Sequence, residues 1–258
     1  MSTRSPQLLL HIPTWGGKRR HAGRKPSLPG PRRVAHRPRP RLAARFPVHV
    51  SLRVTGGLPS LRGRTLWAAV RHGFVFGRVF GDTDGSAEVF RIVHFSVQGQ
   101  HIHLIVEADD RRSLARGIQG FEIRVARAVN KALGRRGRVF ADRYHQRIIT
   151  NPTQCRHALA YVLSNQRRHA HADHATYPRD RVDPCSSAAW FDGWTIQAPR
   201  PWARAPPTDT DGAPPVVRPR TWLLQGGWRR GGGPIRPSAV PGLPKDAPPL
   251  PEWGPDPP

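Results

Sequence analysis

The stretch Gln100-His101-Ile102-His103-Leu104-Ile105-Val106 decides how the chain is read. Two histidines stand one residue apart in a run of aliphatic and β-branched residues, the pattern of a buried strand. Side chains alternate faces along a strand. His101 and His103 therefore project from one face, roughly 6–7 Å apart, and Ile102, Leu104 and Val106 from the other. Two imidazoles fixed on one face make half of a metal site. The plainer alternative is a pair of partly exposed strand histidines.

Working outward, Gln98-Gly99 turns the strand at Val89–Val97 directly into the histidine strand, an antiparallel hairpin. Upstream, Pro47–Val54 alternates as a first strand. Residues 61–80 carry Leu61, Leu66, Val70, Phe74 and Phe80 at roughly helical spacing, with Gly73 and Gly77 as weak points. Asp82-Thr83-Asp84-Gly85 is a turn. Downstream, Ser113 is an N-cap for a second helix, with Asp109-Asp110 suited to its positive end. Leu114, Ile118, Phe121, Val125, Val129 and Leu133 form its buried stripe. Val139–Ile149 is a further extended segment, and Asn151-Pro152 opens a third helix over 152–169. The order β-α-β-β-α-β plus a final helix predicts an α+β fold: a ferredoxin-like antiparallel sheet with two helices on one face. The last helix then lies on the other face, with the two histidines.

In that last helix Tyr161 and Asn165 are four apart and share a face. A phenol and a carboxamide so aligned can face the imidazoles, giving three ligands (His101, His103, Asn165) with a nucleophile beside them. For Tyr161 alone, an ordinary core or surface place explains it as well. Tyr144 is a rival nucleophile without a ligand four residues away. His49 and His94 are strand residues open to the same face or to plain packing. His169, His171 and His174 follow the last helix as a metal-capturing run or a solvated helix end.

Charge narrows the partner. The 258 residues carry 42 Lys+Arg against 17 Asp+Glu, a net charge of +25, and Arg dominates. That favours a polyanion, and bidentate guanidinium contacts suit phosphate. No long apolar run and no isolated basic amphipathic helix speaks for membrane. Two cysteines, Cys155 and Cys185, are no disulfide framework and no metal knuckle, and the start is too short and too poorly apolar for a signal peptide. A cytoplasmic, nucleoid-associated protein is expected. Pro and Gly crowd the two ends, so residues 1–44 read as a disordered basic tail and 172–258 as a Pro/Gly-rich region, flanking a folded unit at 45–171. Lys18, Arg19, Arg20, Arg24 and Lys25 in the tail, and Arg143 and Arg147 in the folded unit, are candidate phosphate contacts. One island, near 221–230, sets Trp222, Leu223, Leu224 and Trp228 together. Docking of this island on the core is the favoured reading, because Leu223 and Leu224 add nothing to stacking. Trp rings stacked on unpaired bases are the other.

The segment Phe95–Glu107 with its His-Ile-His core resembles the His-hydrophobic-His segment of the single-tyrosine HUH transposases, in the branch of REP-associated tyrosine transposases. Arg138–Tyr144 and Ala160–Asn165 resemble later segments of that branch. The resemblance covers about residues 47–170, and Gln166 stands where the branch usually has Pro. It implies that Tyr161 is the nucleophile and that His101, His103 and Asn165 hold Mg²⁺ or Mn²⁺, although softness alone would also allow zinc. The implied reaction is cleavage and rejoining of single-stranded, hairpin-forming DNA through a 5′-phosphotyrosine, by a monomer or homodimer. A catalytically silent nucleic-acid-binding protein of the same descent is the alternative.

Overall fold

Alternation along the central strands sorts the chain into two layers. The computed structural model describes residues 39–81, 88–172, 182–195 and 215–240. In it β1 (Val48–Arg53), α1 (Arg64–Gly77), β2 (Val79–Gly81), β3 (Glu88–Val97), β4 (His101–Ala108), α2 (Arg111–Ala132), β5 (His145–Ile148), α3 (Pro152–Leu163) and α4 (Asn165–Ala172) follow in order. The sheet order is β2-β3-β4-β1-β5, with every pairing antiparallel. Apart from the added edge strand β2, this is the expected ferredoxin-like plan.

Val48, Val50, Leu52, Ile102, Leu104 and Val106 face α1 and α2, and join Val70, Phe74, Ile118, Phe121 and Val125 in the larger core cluster. Gly73, a weak point for helix propensity, is where the two helices meet: a Cβ there would sit 2.6 Å from Val125 Cγ2. Close packing thus outweighs the cost of about 1 kcal/mol for glycine inside a helix. On the opposite face Val93 and Ile105 pack under Cys155, Leu159 and Val162 of α3.

Four expectations are corrected in detail. The helix expected to run to residue 80 ends at Gly77, and Val79 and Phe80 pair instead with Arg91 and Phe90. The cap of α2 is Asp110, whose carboxylate accepts from Ser113 N at 2.6 Å. A charged acceptor that reaches the third N–H starts the helix two residues before Ser113. The helix expected over 152–169 is broken at Ser164 (φ −114°, ψ 20°), and α4 restarts at Asn165. Gln166 therefore falls in the first turn of a new helix, where proline is also tolerated. Residues 39–44, assigned to the basic tail, reach the fold: Leu42 belongs to the larger core and the Arg39 guanidinium lies 3.5 Å above the Tyr144 ring.

The island packs on the core through α5 (Trp222–Gln225) and a 3-10 turn at Gly227–Gly231. Leu223, Leu224 and Trp228 are buried in the α3-side cluster, with Phe191 and Ile235 from the flanking described segments. Trp222 does not dock; it is 53% exposed. The turn at 82–85 and most of the basic tail lie outside the described residues. No helix among the described residues is long and apolar enough to cross a membrane.

His94 supplies a pH test of this packing. A bulge between Ile92 and His94 turns both Val93 and His94 toward the α3 face, opposite Ile105. There His94 Nδ1 lies 3.2 Å from Ser187 Oγ and its ring meets Phe191 edge-on. Burial pushes its pKa down to about 4 from 6.5. The unfolded chain then binds the proton first, so stability is fully present above pH 6.5 and drains away as pH falls toward 4. The loss is on the order of 3 kcal/mol. Glu122 works in the opposite sense, because burial raises it to about 7 against the pull of Arg39 and Arg138. Comparison with His94→Asn isolates the histidine: urea melts from pH 7 to 4 should show a flatter decline in the variant. Parallel declines would contradict it.

Candidate active site

Two central strands and the α3–α4 break build the site. In β1 and β4, Ser51 is the register partner of His103 and Arg53 that of His101, so all four side chains share the α3 face. The two imidazole centroids are 4.8 Å apart and the rings nearly perpendicular. His103 is buried while His101 is half-buried. Ser51 Oγ lies 2.9 Å and His49 Nε2 3.3 Å from His103 Nδ1. These contacts fix the ring and leave His103 Nε2, which has no partner among the described residues.

Above the strands, the Tyr161 ring stands edge-on to His103 (5.1 Å between centroids) and to His49 (5.7 Å). The Arg168 guanidinium lies 5.6 Å from the Tyr161 ring centre. His169, eight residues further along, comes within 5.6 Å of the His101 ring. Asn165 sits midway between Tyr161 and His169 in the sequence. It is fully buried, and neither its Oδ1 nor its Nδ2 has a hydrogen-bond partner among the described residues. Left without a partner, a buried carboxamide costs about 1–3 kcal/mol.

The electrostatics keep the imidazoles neutral. His103 is pushed down to about 2, chiefly by burial and then by His49, His101 and His169. His49 falls to about 4 through burial, with Arg147 adding to it. His101 is lowered by burial and by His169. Neutral imidazole is the form that donates a lone pair to a metal. Among the described residues no three His, Cys, Asp or Glu side chains are arranged to hold an ion together. The structure brings together two imidazoles, His101 and His103, and Asn165 adds a buried carboxamide without a partner among the described residues. The orphaned His103 Nε2 and Asn165 Oδ1 fit that set, and Ser51 and His49 steady His103 from behind.

The other candidates fall in different places. Tyr144 is buried in the α1/α2-side core under Arg39, and burial raises its pKa, so it stands apart from the imidazoles. Arg147 is the register partner of His49 and is exposed at the edge of the site face. Arg143 is also exposed, but its charge acts on Arg39 and Tyr144. Lys18, Arg19, Arg20, Arg24, Lys25 and His174 lie outside the described residues. Ser51 and Arg168 join the site without a motif that marks them, and His169, read from the sequence as part of a metal-capturing run or a solvated helix end, reaches His101. Its signal was present in the sequence, where 161, 165 and 169 recur every four residues, a spacing that in a single helix shares one face.

No family model matches the sequence, and no curated protein matches it. Among solved structures the chain is similar to the REP-associated tyrosine transposase bound to a REP hairpin. The TM-score is 0.44 and the identity 15%, over 72% of this chain and 93% of that one.

Proposed function

We propose that the chain is a metal-dependent transesterase that cuts and rejoins single-stranded DNA through a 5′-phosphotyrosine at Tyr161. The observation that carries the reading is the Tyr161 ring seated edge-on against His103 and His49, with His103 Nε2 buried and without a partner among the described residues. Tyr161 oxygen forms a bond to phosphorus, the bond from phosphorus to the 3′ oxygen breaks, and the departing oxygen takes up a proton as a free 3′-OH. The phenolic proton goes to solvent, and the Arg168 guanidinium, 5.6 Å from the Tyr161 ring centre, offers a counter-charge to the bound phosphate. The ester keeps the bond energy, so another 3′-OH can reverse the step without a nucleotide cofactor. Mg²⁺ or Mn²⁺ held by His101, His103 and Asn165 would polarise a non-bridging phosphate oxygen and offset its developing charge. Neutral His49 and Ser51 hold the His103 ring in register, and Arg147 at the rim offers a phosphate contact.

The deciding experiment incubates a labelled hairpin oligonucleotide with the protein and Mn²⁺, followed by a denaturing gel. A covalent band that EDTA abolishes is expected. Oligonucleotide binding without any such band would leave the catalytically silent reading. Independently of activity, calorimetric Mn²⁺ binding should weaken at least tenfold in His103→Ala and in Asn165→Ala. Equal binding by both variants would remove the metal from the scheme.

The basic N-terminus adds affinity without chemistry in this reading. Because residues 39–44 belong to the fold, the deletion to make is 1–38. For every phosphate that the deleted cations neutralise, the salt dependence of log affinity should flatten by about 0.7. An unchanged slope would show that the segment touches no phosphate.

A further inference from the structure

Trp222 is the feature that neither the fold nor the proposed chemistry uses. Its neighbours Leu223, Leu224 and Trp228 anchor the island, yet its own ring stays 53% exposed. The ring is nonetheless held in place. Gly227 passes beneath it so closely that a Cβ there would lie 2.7 Å from the ring, and the Arg230 guanidinium lies 5.4 Å from its centre. The ring borders a cleft of about 370 Å³ at the far end of β4, with Thr221, Arg45 and Asp109 also on its wall. Thr221 is 8% exposed, and its hydroxyl has no hydrogen-bond partner among the described residues. The floor is fixed, because Glu107 pairs with Arg91 and accepts from the backbone N–H groups of Arg220 and Thr221. Five residues of strand, roughly 17 Å, separate this end of β4 from His103.

We propose that this cleft takes one unpaired nucleotide of a single strand, its base stacked on Trp222 and its phosphate drawn to Arg45 and Arg230. The contact is separate from the Tyr161 site and rests on the proposed function only in taking DNA as the partner. A clamped, half-exposed indole is a platform for any base, since every base has a π-face. The Asp109 carboxylate supplies acceptors for base edges, and the guanidiniums supply the counter-charge. An apolar side chain of a protein partner would leave all of these polar groups unmatched.

The test measures noncovalent affinity by fluorescence anisotropy, with the full chain carrying Tyr161→Phe so that no adduct intervenes. Trp222→Ala should weaken binding of a single-stranded oligonucleotide by about 5- to 150-fold. A single abasic site at one position of the oligonucleotide should cause a similar loss, and the two together no more than either alone. Trp222→Tyr, which keeps a ring, should recover most of the affinity, which separates stacking from a general disturbance of the island. Unchanged affinity in Trp222→Ala, no recovery in Trp222→Tyr, or losses that add at every abasic position would overturn the proposal. Adduct formation is read separately in the chain with Tyr161 intact. Its failure there would sink the transesterase reading and leave this contact standing.

Discussion

Tyr161→Phe is expected to lower adduct formation by on the order of a thousandfold or more while oligonucleotide affinity changes less than twofold. The substitution removes the one oxygen that would bond to phosphorus, and it keeps the ring that meets His103 and His49 edge-on. Tyr144→Phe is the matched control. Its hydroxyl is buried without a partner among the described residues, in the layer behind the sheet. Removing that hydroxyl should leave the adduct intact and hold or raise the melting temperature, because an unsatisfied buried oxygen is lost. An adduct that persists in Tyr161→Phe and disappears in Tyr144→Phe would reverse the assignment. Denaturing gels and thermal melts of the two variants decide between them.

The contrast between these tyrosines shows what the sequence carried. Spacing alone set His101 with His103, because that relation is local, two residues along a strand, whereas the helical spacing of Tyr161 and Asn165 is crossed by the break at Ser164. The apolar stripes likewise sorted α1 and α2 to one face and α3 to the other. The burial of Tyr144 is not local. It depends on Arg39 reaching across from the basic N-terminal segment, which composition marks as solvated. Register hid other parts. Plain alternation from Ile92 would put His94 behind the sheet with Phe90, and the bulge brings it to the front, under Ser187 and Phe191. Ser51 enters the site only through the β1–β4 pairing, which no motif announces. The helix break at Ser164 was also invisible, since no proline or glycine marks it, although it falls just before the residue whose carboxamide lacks a partner. In the island the aliphatic residues read correctly as anchors, and the error was to treat both tryptophans alike. Trp228 is buried and Trp222 is not.

Glu107→Ala is expected to destabilise the protein by about 3–5 kcal/mol. Glu107 follows His101, His103 and Ile105 on the α3 face of β4 and is 5% exposed. Its carboxylate pairs with Arg91, itself 4% exposed, and accepts from Arg220 N at 2.9 Å and Thr221 N at 2.7 Å. It thus ties a central strand to the segment that carries Leu223, Leu224 and Trp228 into the core. Alanine would leave the buried Arg91 guanidinium with only its longer contact to Glu88 (3.9 Å) among the described residues, and two backbone N–H groups unmatched at once, and the weakened pairing of that cation dominates the cost. For a domain of this size the loss should lower the melting temperature by roughly 10 °C. Replacing both partners, Arg91→Met with Glu107→Met, should restore much of the stability, since a matched apolar pair removes the stranded charge. It should not restore the two N–H contacts, so the C-terminal segment would stay less protected in hydrogen exchange than in the parent. If Glu107→Ala melted within 2 °C of the parent, the carboxylate would not be what fastens the segment to the sheet.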